Sequence, residues 1–246
     1  MTTVGVIGAK GKMGALACAA VRAADDLQLA AQVDLGDPRD VLRGCEVAVD
    51  FTHPGVVLDN LAWCIEEGLH VVVGTSGFTD ERLGVVRSML EEHSGVGVLV
   101  VPNFSIGAVL MIRIAAQAAR FFESAEIVET HHPDKLDAPS GTALRTAEVI
   151  AAARGEAGLG EPPDATRTDE LGTRGGRADG VSVHSLRVRG AVAHQEVVLG
   201  NVGELLTIRH DMLDRSAAMP ALLASIRAVS LMPGLTVGLD AVLGLG

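Results

Sequence analysis

Near its start the chain reads Val4-Gly-Val-Ile7, a β-forming run, then Gly8-Ala-Lys-Gly-Lys-Met-Gly14, then an alanine-rich stretch over residues 13–24. A strand that ends in a glycine-punctuated turn and feeds straight into a helix leaves few architectures open. The rhythm repeats. Residues 28–34, 47–51, 71–73 and 96–101 read as further strands, and helical patterns cover 56–67 and 80–93. Valine-rich runs without polar alternation suit strands covered on both faces, so the first hundred residues predict βαβ units around a parallel sheet.

From Asn103 the pattern changes. Residues 106–122 read as a helix apolar on most sides, 125–131 as a strand, and 142–154 as a second helix. Residues 155–180, rich in Gly, Pro, Asp and Thr, read as a long mobile loop. Three strand-like runs at 181–189, 191–199 and 204–210 follow, with turns at Gly190 and at Gly200-Asn-Val-Gly203, and such short connections predict an antiparallel meander. A helix at 215–231 and a Gly-rich apolar tail return to the first domain. The expected fold is α/β: a Rossmann-type parallel-sheet domain plus a smaller α+β domain with a mostly antiparallel open sheet. Residues 1–104 and 212–246 form a discontinuous dinucleotide-binding domain, and 105–211 a substrate-binding and oligomerisation domain.

Charge and composition narrow the partners. A formal net charge of −11 and an absence of Tyr, with one Trp and five Phe, argue against nucleic acid and anionic membrane surfaces. Arg113 interrupts the strongest apolar run well before the roughly 18 residues of a membrane span. The short apolar start runs directly into the glycine turn and does not read as a signal peptide. Cys18, Cys45 and Cys64 are widely spaced among apolar residues, which suits reduced core thiols and a cytoplasmic location.

The glycine turn has a physical reading. Gly8, Ala9, Lys10, Gly11, Lys12 and Met13 surround the start of the first helix, where backbone approach and the helix dipole favour a pyrophosphate. Asp34 closes the second strand about 20 positions beyond Gly14, where an acid accepts the adenosine ribose hydroxyls. Asp34 favours NADH, while Lys10 and Lys12 supply charge for the additional phosphate of NADPH, so both cofactors are expected. Gly74, Thr75 and Ser76, and Val101, Pro102, Asn103 and Phe104, follow strands on the cofactor side and are candidates for the nicotinamide pocket.

A second constellation lies in Glu129-Thr-His-His-Pro-Asp-Lys-Leu-Asp-Ala-Pro-Ser-Gly-Thr-Ala143. His131 and His132, as adjacent strand residues, point to opposite faces and cannot clamp one ion, so no metal is expected. Imidazole is matched to proton transfer near neutral pH, and His131 or His132 could act as acid. Lys135 could pair with an anion or donate a proton. Ser140 reads as an N-cap, with the amides of Gly141 and Thr142 and the Thr142 hydroxyl placed to hold a carboxylate. An anionic substrate that must gain a proton fits.

This signature, His-His-x-x-Lys followed by Asp-Ala-Pro-Ser-Gly-Thr-Ala, resembles that of the 4-hydroxy-tetrahydrodipicolinate reductase (dihydrodipicolinate reductase) family. The similarity continues through the loop from Gly8 to Gly14, Gly74-Thr75, Pro102-Asn103-Phe104, Val192-Ala-His-Gln195 and Pro233-Gly-Leu-Thr-Val-Gly238, essentially the whole chain. Ser76 stands where a second Thr is usual and Thr130 where Leu is common. The resemblance implies an NAD(P)H-dependent reductase of a small dicarboxylate in lysine and diaminopimelate synthesis. It makes His131 the principal acid/base, Lys135 a proton donor, and His132, Gly141 and Thr142 substrate contacts. Lys10 and Lys12 match actinobacterial-type members, which implies use of both NADH and NADPH, and the family implies a homotetramer built through the second domain. The residues alone also admit another Rossmann amino-acid or hydroxy-acid dehydrogenase, or a nucleotide-binding redox sensor without turnover. The substrate the resemblance implies is 4-hydroxy-tetrahydrodipicolinate, reduced through its conjugated cyclic imine (dihydrodipicolinate) to tetrahydrodipicolinate, and NADH oxidation dependent on that imine separates the three.

Overall fold

In the computed structural model, which describes residues 1–245, the valine-rich runs do pair edge to edge into one parallel sheet. The chain divides into two units, residues 1–104 with those from 218 onward, and residues 105–217. The first unit opens β1 (Thr2–Ile7), α1 (Lys12–Ala23), β2 (Leu27–Val33), β3 (Val47–Asp50), α2 (Val57–Glu66), β4 (His70–Val73), α3 (Asp80–Leu90) and β5 (Gly97–Val100). The second holds α4 (Ile106–Ala119), β6 (Ser124–His131), α5 (Gly141–Glu156), β7 (Gly176–Ala178), β8 (Val181–Arg187), β9 (Ala193–Asn201) and β10 (Glu204–Met212). Then α6 (Met219–Ala228) and β11 (Gly234–Val237) complete the first unit.

The first sheet runs β11-β5-β4-β3-β1-β2 with every pairing parallel. Val4, Val6, Val47, Val49, Val71, Val72, Val73 and Val98 are all buried, each contributing about 1.5–3 kcal/mol by leaving water. The strand order reverses between β1 and β3, the position at which such sheets open a ligand crevice beyond the strands' carboxyl ends. Cys18, Cys45 and Cys64 are buried and unpaired by disulfides.

The second sheet runs β10-β9-β6-β8-β7. It is mostly antiparallel, but the expected meander is not formed. The connection from β8 to β9 is short, yet those strands do not pair. Instead β6 lies between them, parallel to β8 and antiparallel to β9, and the connection passes over its end, where the Val188 amide donates to the His131 carbonyl at 2.9 Å. A strand that buries Ala125, Ile127 and Glu129 in alternation gains two hydrogen-bonding neighbours there. Ala115 and Ala119 of α4, with Ala143, Ala147 and Ile150 of α5, cover the face presented by Ala125 and Ile127.

Four further expectations are corrected. The second unit runs to residue 217 rather than 211, because β10 continues to Met212 and the Asp214 carboxylate and carbonyl accept from the amides of Ser216 and Ala217, at 2.8 and 3.2 Å. The helix read over 215–231 is three pieces, with 3-10 turns at Arg215–Ala218 and Val229–Leu231 flanking α6. The tail supplies β11, and within residues 155–180 lies β7 together with a frame in which Asp169 accepts from the amides of Thr173 and Arg174 at 2.6 and 2.9 Å.

Candidate active site

In the first unit glycine is required at the turn after β1. Gly8 sits at φ +80°, and a Cβ on Gly14 would collide with the Gly8 carbonyl, so only bare backbone lets the start of α1 press against the end of β1. The amides of Gly8 and Ala9 both donate to the Val33 carbonyl, at 2.8 and 3.1 Å, and the Lys10 amide to Asp34 Oδ2 at 2.7 Å, which laces the turn to β2. Gly11 is the N-cap of α1 and no side chain caps it, so the first-turn amides, Lys12 and Met13 among them, are not taken by a capping group. An anion is the partner such a helix start favours.

Asp34 also accepts from the Leu35 amide at 2.8 Å, and these bonds, Leu35 before Lys10, hold its carboxyl below the ordinary value. Each oxygen retains acceptor capacity for a ribose hydroxyl. Lys10 Nζ stands 3.8 Å from Asp37 and is 77% exposed, and Lys12 is exposed as well. Beyond β4 and β5, Gly74 donates to the Asp50 carbonyl and Val101 to that of Val73, both at 2.9 Å. The rings of Phe51 and Phe104 lie 5.7 Å apart, and a Cβ on Gly74 would strike both. Ala9, Thr75, Val101 and Phe104 are buried within the unit, so backbone and ring edges are what they offer, whereas Ser76 and Pro102 are exposed and Asn103 half-buried. An uncapped helix start, a glycine turn and an acid at the end of β2 fit a dinucleotide.

In the second unit β6 carries its inward alternation from Ile127 through Glu129 to His131, and His132 begins the turn beyond the strand. Glu129 is fully buried. Its carboxylate accepts from His131 Nδ1 and from Arg187 of β8, whose Nη1 lies 3.1 Å from both oxygens and Nη2 3.1 Å from Oε1. Arg187 Nη2 also donates to the Asp137 carbonyl at 2.7 Å, and the Asp137 carboxylate takes Lys135 Nζ at 2.7 Å. His131, Glu129, Arg187, Asp137 and Lys135 are thus one connected chain.

The charges follow from this wiring. Burial alone would push the Glu129 carboxyl up, but hydrogen bonds from Arg187, Ser185 and His131 outweigh it and hold it below the ordinary carboxylate value. Burial pushes His131 below the ordinary imidazole value; Glu129 opposes that shift, and Lys135 and Arg187 reinforce it. An ionised carboxylate only accepts, so Nδ1 carries the hydrogen and Nε2 is left to act.

Ser140, buried, caps α5 by accepting from the Ala143 amide at 3.2 Å, and nothing lies within 4 Å of where a Cβ on Gly141 would stand. Behind this start Thr146 donates to the Thr142 carbonyl at 2.7 Å and receives Gln195 Nε2 of β9 at 2.7 Å. Among the described residues no group of three or more His, Cys, Asp or Glu is arranged to hold a metal ion. The sequence-predicted residues therefore gather at two places, one on each unit. Sequence reasoning missed Glu129 as the partner of His131, and Arg187 as the partner of Glu129 and of the Asp137 carbonyl. A buried-phase acid two positions before a histidine was a usable signal, but the strand supplying Arg187 was not.

A Rossmann-like parallel sheet, with a second unit carrying the hydrogen-bonded chain from His131 to Lys135 and a capped helix start, suits a two-domain pyridine-nucleotide oxidoreductase. Residues 2–104 match the family model for the N-terminus of dihydrodipicolinate reductase, and 107–243 that for its C-terminus. The chain belongs to the dihydrodipicolinate reductase family. It is 58% identical over 244 residues to the 4-hydroxy-tetrahydrodipicolinate reductase of Nocardia farcinica, covering 98% of each chain. Over 245 residues it is 58% identical to that of Cutibacterium acnes, covering all of both. Among solved structures, a dipicolinate-bound dihydrodipicolinate reductase from Paenisporosarcina sp. TG-14 superposes with a TM-score of 0.85 at 34% identity, over 98% of this chain and 99% of that one. A probable dehydrogenase from Thermotoga maritima, at 14% identity and a TM-score of 0.58, shares the fold.

Proposed function

We propose that this chain reduces 4-hydroxy-tetrahydrodipicolinate, through the conjugated cyclic imine left by loss of water, to tetrahydrodipicolinate. It would serve lysine and diaminopimelate synthesis in the cytoplasm. The full-length likeness to relatives of that name supports the substrate. The observation that carries the chemistry is the chain from His131 to Lys135, set in the same loop as the open helix start at Gly141.

The first unit would hold NADH or NADPH: Gly8, Ala9, Gly11 and Met13 at the pyrophosphate, Asp34 at the ribose, Lys10 and Lys12 at the 2′-phosphate, and Gly74 to Ser76 with Val101 to Phe104 at the nicotinamide. The bound nucleotide supplies a hydride to C4 of the imine, and the displaced electron pair takes up one proton. His131 is the group that delivers it. Glu129 steadies the imidazolium through Nδ1, while arrival of the anionic substrate raises the proton affinity that burial had lowered. Lys135, now on Asp137, would exchange that partner for substrate as a second proton donor, and solvent would restore the proton given up. Ser140 caps α5 so that the amides of Gly141 and Thr142, with the Thr142 hydroxyl and His132, grip a carboxylate.

Assembly would use the second sheet. Its face away from α4 and α5 carries a groove lined by Val128, Val198 and Leu205 with Glu126 and His184, the surface through which a homotetramer would form.

The test is NADH oxidation dependent on freshly generated substrate. His131→Ala and Lys135→Ala should each lower kcat about 10²- to 10⁴-fold with NADH affinity unchanged. Near-normal turnover in both folded variants would remove the assignment of this loop.

A further inference from the structure

Asp50 ends β3 beside the point where the strand order reverses, and it is fully buried. Among the described residues no arginine or lysine pairs with it. An acid buried without a cation is costly and persists only where donors saturate it. Oδ1 accepts from the Thr52 amide at 3.0 Å, the Thr52 hydroxyl at 2.7 Å and the Thr75 hydroxyl at 2.6 Å, and Oδ2 from Asn60 Nδ2 at 2.8 Å. The Thr52 amide also reaches Thr75 Oγ1 at 2.8 Å.

These bonds join three segments through one carboxylate. Thr52 follows β3, Thr75 follows β4, and Asn60 lies on α2. A Cβ on Gly8 would meet the Phe51 carbonyl and the Thr52 methyl, so the glycine turn abuts the same knot. Phe51, held between Asp50 and Thr52, puts its ring against Gly74 and Phe104. The loops beyond β3 and β4 are thus set by one carboxylate at the carboxyl edge of the sheet, where ligands of such sheets lie.

We propose that Asp50 is the positioning residue for the nicotinamide half of the dinucleotide, acting through Thr52 and Thr75. This rests on the reading that the first unit binds a pyridine nucleotide. The pyrophosphate and ribose are served by the turn after β1 and by Asp34; the Asp50 carboxylate makes no hydrogen bond to either, and Thr52 meets the turn only through its methyl packed against Gly8. Its influence therefore falls on one half of the ligand.

That division can be measured without turnover. ADP-ribose carries the adenosine and pyrophosphate but no nicotinamide, so its affinity is compared with that of NADH by calorimetry for the unaltered protein, Thr75→Val, Thr75→Ser and Asp50→Asn. Removing the Thr75 hydroxyl deletes its donation to the charged Asp50 acceptor together with its acceptance from the Thr52 amide, and should weaken NADH about tenfold. ADP-ribose should stay within about twofold, Thr75→Ser should restore NADH, and Asp50→Asn should weaken NADH further. If ADP-ribose weakened in step with NADH, Asp50 would be a brace for the whole unit and the proposal overturned. Unchanged NADH affinity in Thr75→Val would overturn it too, even if Asp50→Asn failed to fold. Binding of neither ligand by the unaltered protein would overturn the nucleotide reading itself.

Discussion

Glu129→Gln removes a charge from the centre of the His131 chain and leaves its shape. Breaking a buried ion pair outright costs about 3–5 kcal/mol. Here the Arg187 side chain is 21% exposed and keeps its bonds to the carbonyls of Leu186 and Asp137, so the loss should be smaller. A cost of about 2 kcal/mol, or roughly 4–8 °C in Tm, leaves a chain of this size folded. The informative change is in His131. Among the described residues it is Glu129 that raises its proton affinity, against burial, Lys135 and Arg187. The variant's imidazole should therefore titrate lower still than in the unaltered protein, read from its Cε1 proton by NMR and assigned with His131→Ala. The sign carries into stability. Because the folded imidazole binds its proton less readily than the unfolded one, stability is lost as pH falls from about 6.5 through the folded midpoint, and in the variant that loss extends to lower pH. A poorer hold on the proton and a freer ring should together lower kcat about 10- to 100-fold, part of what a positioned acid supplies, with the KM for NADH unchanged. A midpoint that stayed or rose, with kcat near that of the unaltered enzyme, would refute the reasoning.

Other outcomes follow from single contacts. Changing Lys10 and Lys12 together to Ala should raise the KM for NADPH about tenfold and leave that for NADH within twofold, a selectivity checked by steady-state kinetics with each cofactor. Thr142→Val, which removes a proposed carboxylate contact, should raise the substrate KM about 10-fold while kcat holds. Gly14→Ala forces a Cβ into the Gly8 carbonyl, so overpacking of about 1–3 kcal/mol should appear as a Tm lower by roughly 2–12 °C and as weakened binding of both cofactors.

The parallel sheet was legible because its strands are apolar on both faces, and the turn from Gly8 to Gly14 fixed where the helix follows. The second sheet was less so. Short connections suggested that residues 181–199 pair as neighbours, but pairing is decided by partners far apart in sequence, and Glu129 finds Arg187 only because β6 inserts between β8 and β9. The tail read as glycine-rich and apolar, yet Gly234–Val237 becomes a strand because β5 offers it an edge. Candidate residues with a local signature, His131, Lys135 and Ser140, could be named in advance. Their supports could not, since a buried acid such as Asp50 or Glu129 looks like any other until its donors are known.

The return of α6 and β11 to the first sheet has a temporal consequence. A chain made from its N-terminus completes residues 105–217, a contiguous unit with its own core, while the other unit still lacks the strand that pairs with Gly97–Val100 and the Arg227 guanidinium that clasps Asp26 at 2.7 Å. Until then β5 is an unpaired edge of apolar residues, the kind of surface that invites pairing with a stranger. The unit that begins synthesis is therefore the later to be finished, and the nascent chain passes through an interval in which the unit holding the His131 chain can be folded while the parallel sheet still lacks an edge strand.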